Sequence, residues 1–281
     1  MYSRSRLLIV FKFLLLIISS RSLIAQHNES NLVGENYLVD IRKLYEKVLE
    51  TDSTNYDALT NLGVIFQRMG DLKKSLNYFE KAVKFNPGKS RAYHNLGILN
   101  SLMGRLGDAI YNLNKAAELD ATSPNSVRQL GIIYLQNKMF REAIESFERA
   151  LRRDYFDVES RLGKALTFWS LKEYDSVLAE INEMKSLGLR FNRMELLLAD
   201  VYFKKNNYYK AMKYAKLDKS ENSSRAEGHY LLGVLYKMND EKDKAEFEFE
   251  EAFTIAKQNP NSSLTFSINI FFESNTKQQL E

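Results

Sequence analysis

Few residues in this chain are equipped to make or break bonds. Cysteine is absent, which removes disulfides, thiolate nucleophiles and thiolate metal ligands. The three histidines, His27, His94 and His229, are scattered. None has a metal-binding side chain three or four residues away, the spacing that sets two ligands on one helical face. The acidic run "EFEFEEAF" at 246–253 reads as the solvated face of a helix. No phosphate loop, nucleophile elbow or kinase signature is present. The expectation is a protein that is not an enzyme and uses no cofactor or metal. What remains is recognition chemistry. Asn61 and Asn95, continued by Gln129, recur every 34 residues. A side-chain amide carries a donor and an acceptor, so it matches a peptide backbone of any sequence. Leu135, Trp169 and Phe203 recur at the same interval, with Leu166 and Leu162 one and two helical turns before Trp169. This is the only Trp of the chain, and a large ring of that kind can anchor a partner's side chain.

So constant an interval implies a scaffold that repeats with it. With residue 56 as position 1, units run 56–89, 90–123, 124–157, 158–191, 192–225 and 226–259 without insertion or deletion. Position 8 holds Gly63, Gly97, Gly131, Ala165, Ala199 and Gly233, small in all six. Position 7 is Leu in five units, the exception being Lys164. Position 11 is aromatic in five, and Asn100 is the exception. Positions 4, 7, 8 and 11 share one helical face, and 20, 24 and 27 share one on a following helix. Small residues let two helix backbones approach, and large ones fill the space beside them. A polar turn near position 15, such as "MGD" at 69–71 or "NNY" at 206–208, separates the two helices. One hairpin of this kind cannot bury its apolar faces alone, so the units must stack.

The pattern resembles the tetratricopeptide repeat, whose signature is a large residue, Leu-Gly, an aromatic, Ala, Phe, Ala and Pro at fixed offsets. The resemblance covers 56–259 and implies an all-α fold, a right-handed α-solenoid of stacked antiparallel helix hairpins. Units four and five depart most: Met184 and Asp218 stand where Ala is usual at position 27, and Ala215 replaces a bulky residue at position 24. Local repacking or a bend is expected between 180 and 225. In the family the first helices line a concave groove, and positions 2, 5, 6, 9, 12 and 13 point into it. Asn61, Asn95 and Gln129 at position 6 then become candidate peptide contacts, as a ladder of Asn is in some members. The alternative is that these amides are simply solvated. Leu135, Trp169 and Phe203 at position 12, with Leu166, become a candidate apolar anchor. The alternative there is core packing against the neighbouring first helix. The family's clamp for C-terminal carboxylates is not supported: the matching positions are Thr60, Val64, Asn95, Asn125 and Gln129, and only Asn95 fits.

The ends complete the organisation. Residues 36–55 read as an N-terminal half-repeat, a capping helix with Tyr45 and Val48 in phase. Residues 260–281 read as a C-terminal cap and tail. Within it Leu264, Phe266, Ile268, Ile270 and Phe272 fit either a helix or a strand. Residues 1–25 have a basic start, an apolar run over 7–18 and small residues before Gln26, the layout of a secretory signal peptide. The run is short for a bilayer span, and an uncleaved signal anchor is the other reading. The formal charge of +4 comes from Arg4, Arg6, Lys12 and Arg21; without them 36 basic residues face 36 acidic ones. A neutral body lacks the footprint for nucleic acid. The expected function is an exported scaffold, periplasmic or secreted, that binds a protein or peptide partner along its groove. Membrane association is expected only through an uncleaved N-terminal segment. The alternative is an accessory subunit of an envelope or membrane-associated assembly, acting through its ends or convex face.

Overall fold

The computed structural model describes residues 31–221 and 223–258, with side chains from Leu38 onward. The leader at 1–25 and the expected cap at 260–281 lie outside the described residues. Among the described residues there are thirteen helices and no strand. These are α1 (Asn31–Thr51), α2 (Tyr56–Arg68), α3 (Leu72–Phe85), α4 (Ser90–Leu102), α5 (Leu106–Leu119), α6 (Asn125–Gln136) and α7 (Phe140–Arg153). They continue as α8 (Val158–Leu171), α9 (Tyr174–Ser186), α10 (Met194–Lys204), α11 (Tyr208–Glu221), α12 (Ala226–Met238) and α13 (Lys242–Gln258). The fold is all-α, an α-solenoid of antiparallel helix hairpins. The described chain divides into two compact units, 31–164 and 165–258. The first stacks the hairpins α2–α3, α4–α5 and α6–α7; the second contains α10–α11 and α12–α13. Helix α1, over the stretch assigned to a capping half-repeat, begins before residue 36 and packs on α2.

Local chemistry explains where helices start and stop. Asn55 and Asp71 cap α2 and α3, each side chain accepting from the amide three residues on; such caps contribute about 1 kcal/mol. The turn inside every hairpin has one geometry. Gly70, Gly104, Lys138, Lys172, Asn206 and Asp240, all at position 15, are left-handed with φ between 58° and 79°. The next amide returns to the carbonyl of position 11 in all six, from Asp71 to Phe66 through Glu241 to Tyr236. This six-to-one bond satisfies a carbonyl that the helix end would orphan. Only two of the six residues are Gly, so the turn geometry persists where the residue type does not.

The small residue at position 8 sits on the large residue at position 24 of its own hairpin. A Cβ on Gly63 would lie 2.4 Å from the Phe79 ring, and one on Gly131 would lie 2.7 Å from Phe147. Both rings are fully buried, and each burial contributes roughly 2–3 kcal/mol. Where position 8 is Ala the partner shrinks: Ala165 has Ile181 at position 24, and Ala199 packs in one cluster with Ala215.

Position 27 is fully buried in every unit. Asp218 therefore puts a carboxylate where most units put a methyl, which is costly unless the charge is paired. Arg225 donates to its Oδ1, and Gly228 makes room, since a Cβ there would lie 2.6 Å from Oδ2. This is the repacking expected near 180–225. Burial corrects one reading. Glu248, inside the acidic run taken as solvated, is buried, with Lys219 Nζ at 2.7 Å from Oε1 and His229 Nδ1 at 2.7 Å from Oε2.

Candidate functional site

In the unit 31–164 the first helices α2, α4 and α6 lie side by side. That adjacency brings the position-6 amides onto one face: Asn61 on α2, Asn95 on α4 and Gln129 on α6, all partly exposed. Their surroundings differ. Arg91, from α4, donates to Asn61 Oδ1 at 2.7 Å and stands 3.8 Å from Asp57. The Asn61 carbonyl is thus already engaged. The amides of Asn95 and Gln129 have no hydrogen-bond partner among the described residues.

The charges around these amides are matched within the face. Arg128, beside Gln129, donates to both carboxylate oxygens of Asp157 at 2.8 and 2.9 Å, to Asn125 at 2.8 Å and to Glu159 at 3.0 Å. A fork held at four points is rigid. His94, beside Asn95, has Nδ1 at 3.0 Å from Ser126 Oγ. Burial, then the Arg128 charge, holds its pKa down at about 4, so the ring is neutral at physiological pH. Beside Asn95 and Gln129 the face therefore offers neutral donors and acceptors. Arg91 escaped the sequence reading. Its signal was position 2, where Asp57 and Arg91 oppose across successive units, as Arg193 and Glu227 do at 2.8 Å in the unit 165–258.

Tetratricopeptide repeat models match residues 56–89, 78–111, 128–183 and 226–259. The chain belongs to the tetratricopeptide repeat family. No curated protein matches this tetratricopeptide repeat protein. Its fold is similar to that of solved structures. PilF of Pseudomonas aeruginosa is 18% identical, with 78% of this chain and 97% of that chain covered and a TM-score of 0.61. A tetratricopeptide repeat protein from Parabacteroides merdae is 20% identical, with 91% and 97% covered and a TM-score of 0.61. PilW, described as a widely conserved type IV pilus biogenesis factor, is 15% identical, with 76% and 97% covered and a TM-score of 0.62. The family's scaffold is one consistent with protein–protein interaction. No helix among the described residues is long and apolar enough to cross a membrane.

Of the candidate apolar contacts of this repeat protein, Leu135, Trp169 and Phe203 at position 12 with Leu166 at position 9, three are buried. Leu135 is 1% exposed, Leu166 is fully buried and Trp169 is 9% exposed. The Trp169 indole N–H donates to Asp200 Oδ2 at 2.6 Å. At Leu135 and Trp169 position 12 packs into the core, the second of the two readings open from sequence. Phe203 is partly buried, its ring 5.8 Å from that of Tyr208. Only this member of the stripe keeps accessible apolar surface.

Proposed function

We propose that this protein is an exported, non-catalytic scaffold that holds an extended peptide segment of a partner along the face of α2, α4 and α6. One observation carries the reading: the side-chain amides of Asn95 and Gln129 stand on adjacent helices without a protein partner. A buried or half-buried amide normally finds one. Each can exchange a donor and an acceptor with a passing backbone, and the ion pairs of Arg91 and Arg128 hold the helices in register for it. Phe203, not Trp169, is the accessible apolar contact left to the other unit. Export is supported by the leader-like layout of residues 1–25. A fold shared with PilW, a pilus biogenesis factor by its description, agrees with an envelope role.

The test begins by selecting peptides from a random display library on the wild-type protein. Their affinity is then measured by calorimetry for wild type and for the double variant Asn95→Ala, Gln129→Ala. Two lost amides, at about 0.5–1.5 kcal/mol for each hydrogen bond, should weaken binding by roughly tenfold or more. Unchanged affinity across the selected peptides rules the amide face out.

A further inference from the structure

The amides of α2, α4 and α6 form the first of three rows on that face. Asn61, Val64 and Arg68 follow one another at intervals of three and four on α2, as do Asn95, Ile98 and Leu102 on α4 and Gln129, Ile132 and Gln136 on α6. That spacing sets each triplet on one side of its helix. Beyond the amides comes an aliphatic row, with Val64 and Ile98 half-buried and Ile132 buried. Beyond that stand Arg68 and Gln136, both exposed, and between them Leu102, 49% exposed.

Charge is spread unevenly along these rows. The three helices contain three arginines, Arg68, Arg91 and Arg128, and a single carboxylate, Asp57. At the α6 end Arg128 is matched by Asp157 at 2.8 Å and Glu159 at 3.0 Å. The α2 end is poorly matched. Arg68 has no carboxylate within 4.0 Å among the described residues. Arg91 has Asp57 at 3.8 Å, with side chains 51% and 74% exposed, a contact that solvent largely screens.

We propose that the segment held on this face is acidic at the end that crosses α2, with side-chain carboxylates on Arg91 and Arg68 and an apolar side chain on Ile98 and Leu102. The inference rests on the peptide-binding reading and specifies the partner it calls for. Two features select that occupant. The unmatched charge is positive and confined to one end, so an acidic group gains there and a basic one is repelled. Arg91 reaches Asn61, and Arg68 lies seven residues beyond Asn61, about 10 Å along the helix. A single chain-terminal carboxylate cannot span that distance. Successive side chains of an extended segment leave on opposite sides, so two neighbouring acidic residues can reach one arginine each. The next side chain on the Arg68 side lies about 7 Å along the segment, towards Leu102 on the adjacent helix.

Peptides selected from a random display library on the wild-type protein carry the test. They should be enriched in Asp or Glu close to an apolar residue. A selected peptide should lose roughly fivefold in affinity when its acids are replaced by Asn or Gln. The double variant Arg68→Gln, Arg91→Gln should lose about as much for the acidic peptide and bind the two peptides alike. Selection repeated on Arg68→Glu, Arg91→Glu should return Lys or Arg in place of the acids. Both arginines are exposed, and circular dichroism checks that the variants keep their helicity. Selected peptides without acidic enrichment, or an Arg68→Gln, Arg91→Gln protein that still prefers the acidic peptide, overturn the inference. The amide variant tells the two failures apart. If Asn95→Ala, Gln129→Ala weakens binding and the arginine variants do not, the peptide site stands and its acidic specificity falls. If the amide variant binds as wild type does, both fall.

Discussion

The indole N–H of Trp169 donates to Asp200 Oδ2 at 2.6 Å, joining α8 to α10 through a carboxylate that is 3% exposed. Burial pushes the Asp200 pKa up from 3.8, against the opposing pull of Lys204 and of the Trp169 hydrogen bond. The native state therefore keeps a proton over a range in which the unfolded chain has lost it. Stability from this site falls as pH rises above 3.8 towards the raised native value. Asp200→Asn keeps an oxygen to accept from Trp169 and carries no charge. It should be more stable than wild type at neutral pH, and the advantage should shrink as pH falls towards 3.8. Urea unfolding at several pH values measures this, and an Asn variant weaker at neutral pH would contradict it. Trp169→Phe removes the donor and leaves the carboxylate in place, and should cost about 1–3 kcal/mol.

His94 supplies the opposite pH dependence. Its pKa is held at about 4, below the ordinary 6.5, first by burial and then by Arg128. The folded protein takes up this proton less readily than the unfolded chain. The stability associated with the neutral ring is whole above pH 6.5 and is lost as pH falls through 6.5 to about 4. A shift of that size is worth on the order of 3 kcal/mol. His94→Gln retains a hydrogen-bonding group for Ser126 and does not titrate, so it should lose less stability than wild type as pH falls across that window. Equal declines in the two proteins would place the acid sensitivity elsewhere.

The legible parts of this fold are those fixed by short-range, repeated constraints. A small residue at 63, 97, 131 and 233 with a large one sixteen residues on can be read directly, because the same two helices cross in each unit. The left-handed turn could be placed near position 15 from Gly70 and Gly104, although Lys138 and Lys172 gave no sign of adopting it. The candidate site was less legible because its state depends on partners one unit away. Asn61 looks like Asn95 in sequence, yet only Asn61 is engaged, by Arg91 thirty residues on. Trp169 reads equally as a groove anchor or as core until Asp200, thirty-one residues on, accepts its N–H. Glu248 reads as one more acid on a solvated helix until His229 and Lys219 close on it from two other helices.

The pair Gly63 and Phe79 tests the packing rule that sets the repeat. A methyl on Gly63 would lie 2.4 Å from the Phe79 ring, which is fully buried and has nowhere to go. Overpacking of this kind costs about 1–3 kcal/mol, against about 1 kcal/mol of gained helix propensity. Gly63→Ala should therefore destabilise, by up to about 2 kcal/mol net. The chain carries its own remedy at Ala165 and Ile181, where the smaller branched side chain accompanies the methyl. Phe79→Ile alone leaves a void and should destabilise, by about 1–2 kcal/mol. In the Phe79→Ile background, however, Gly63→Ala fills part of that void and gains its propensity, so its effect should change sign. Denaturant unfolding of the four proteins gives the coupling energy, expected at about 1–3 kcal/mol. Strictly additive single effects would mean that positions 8 and 24 do not set each other's size.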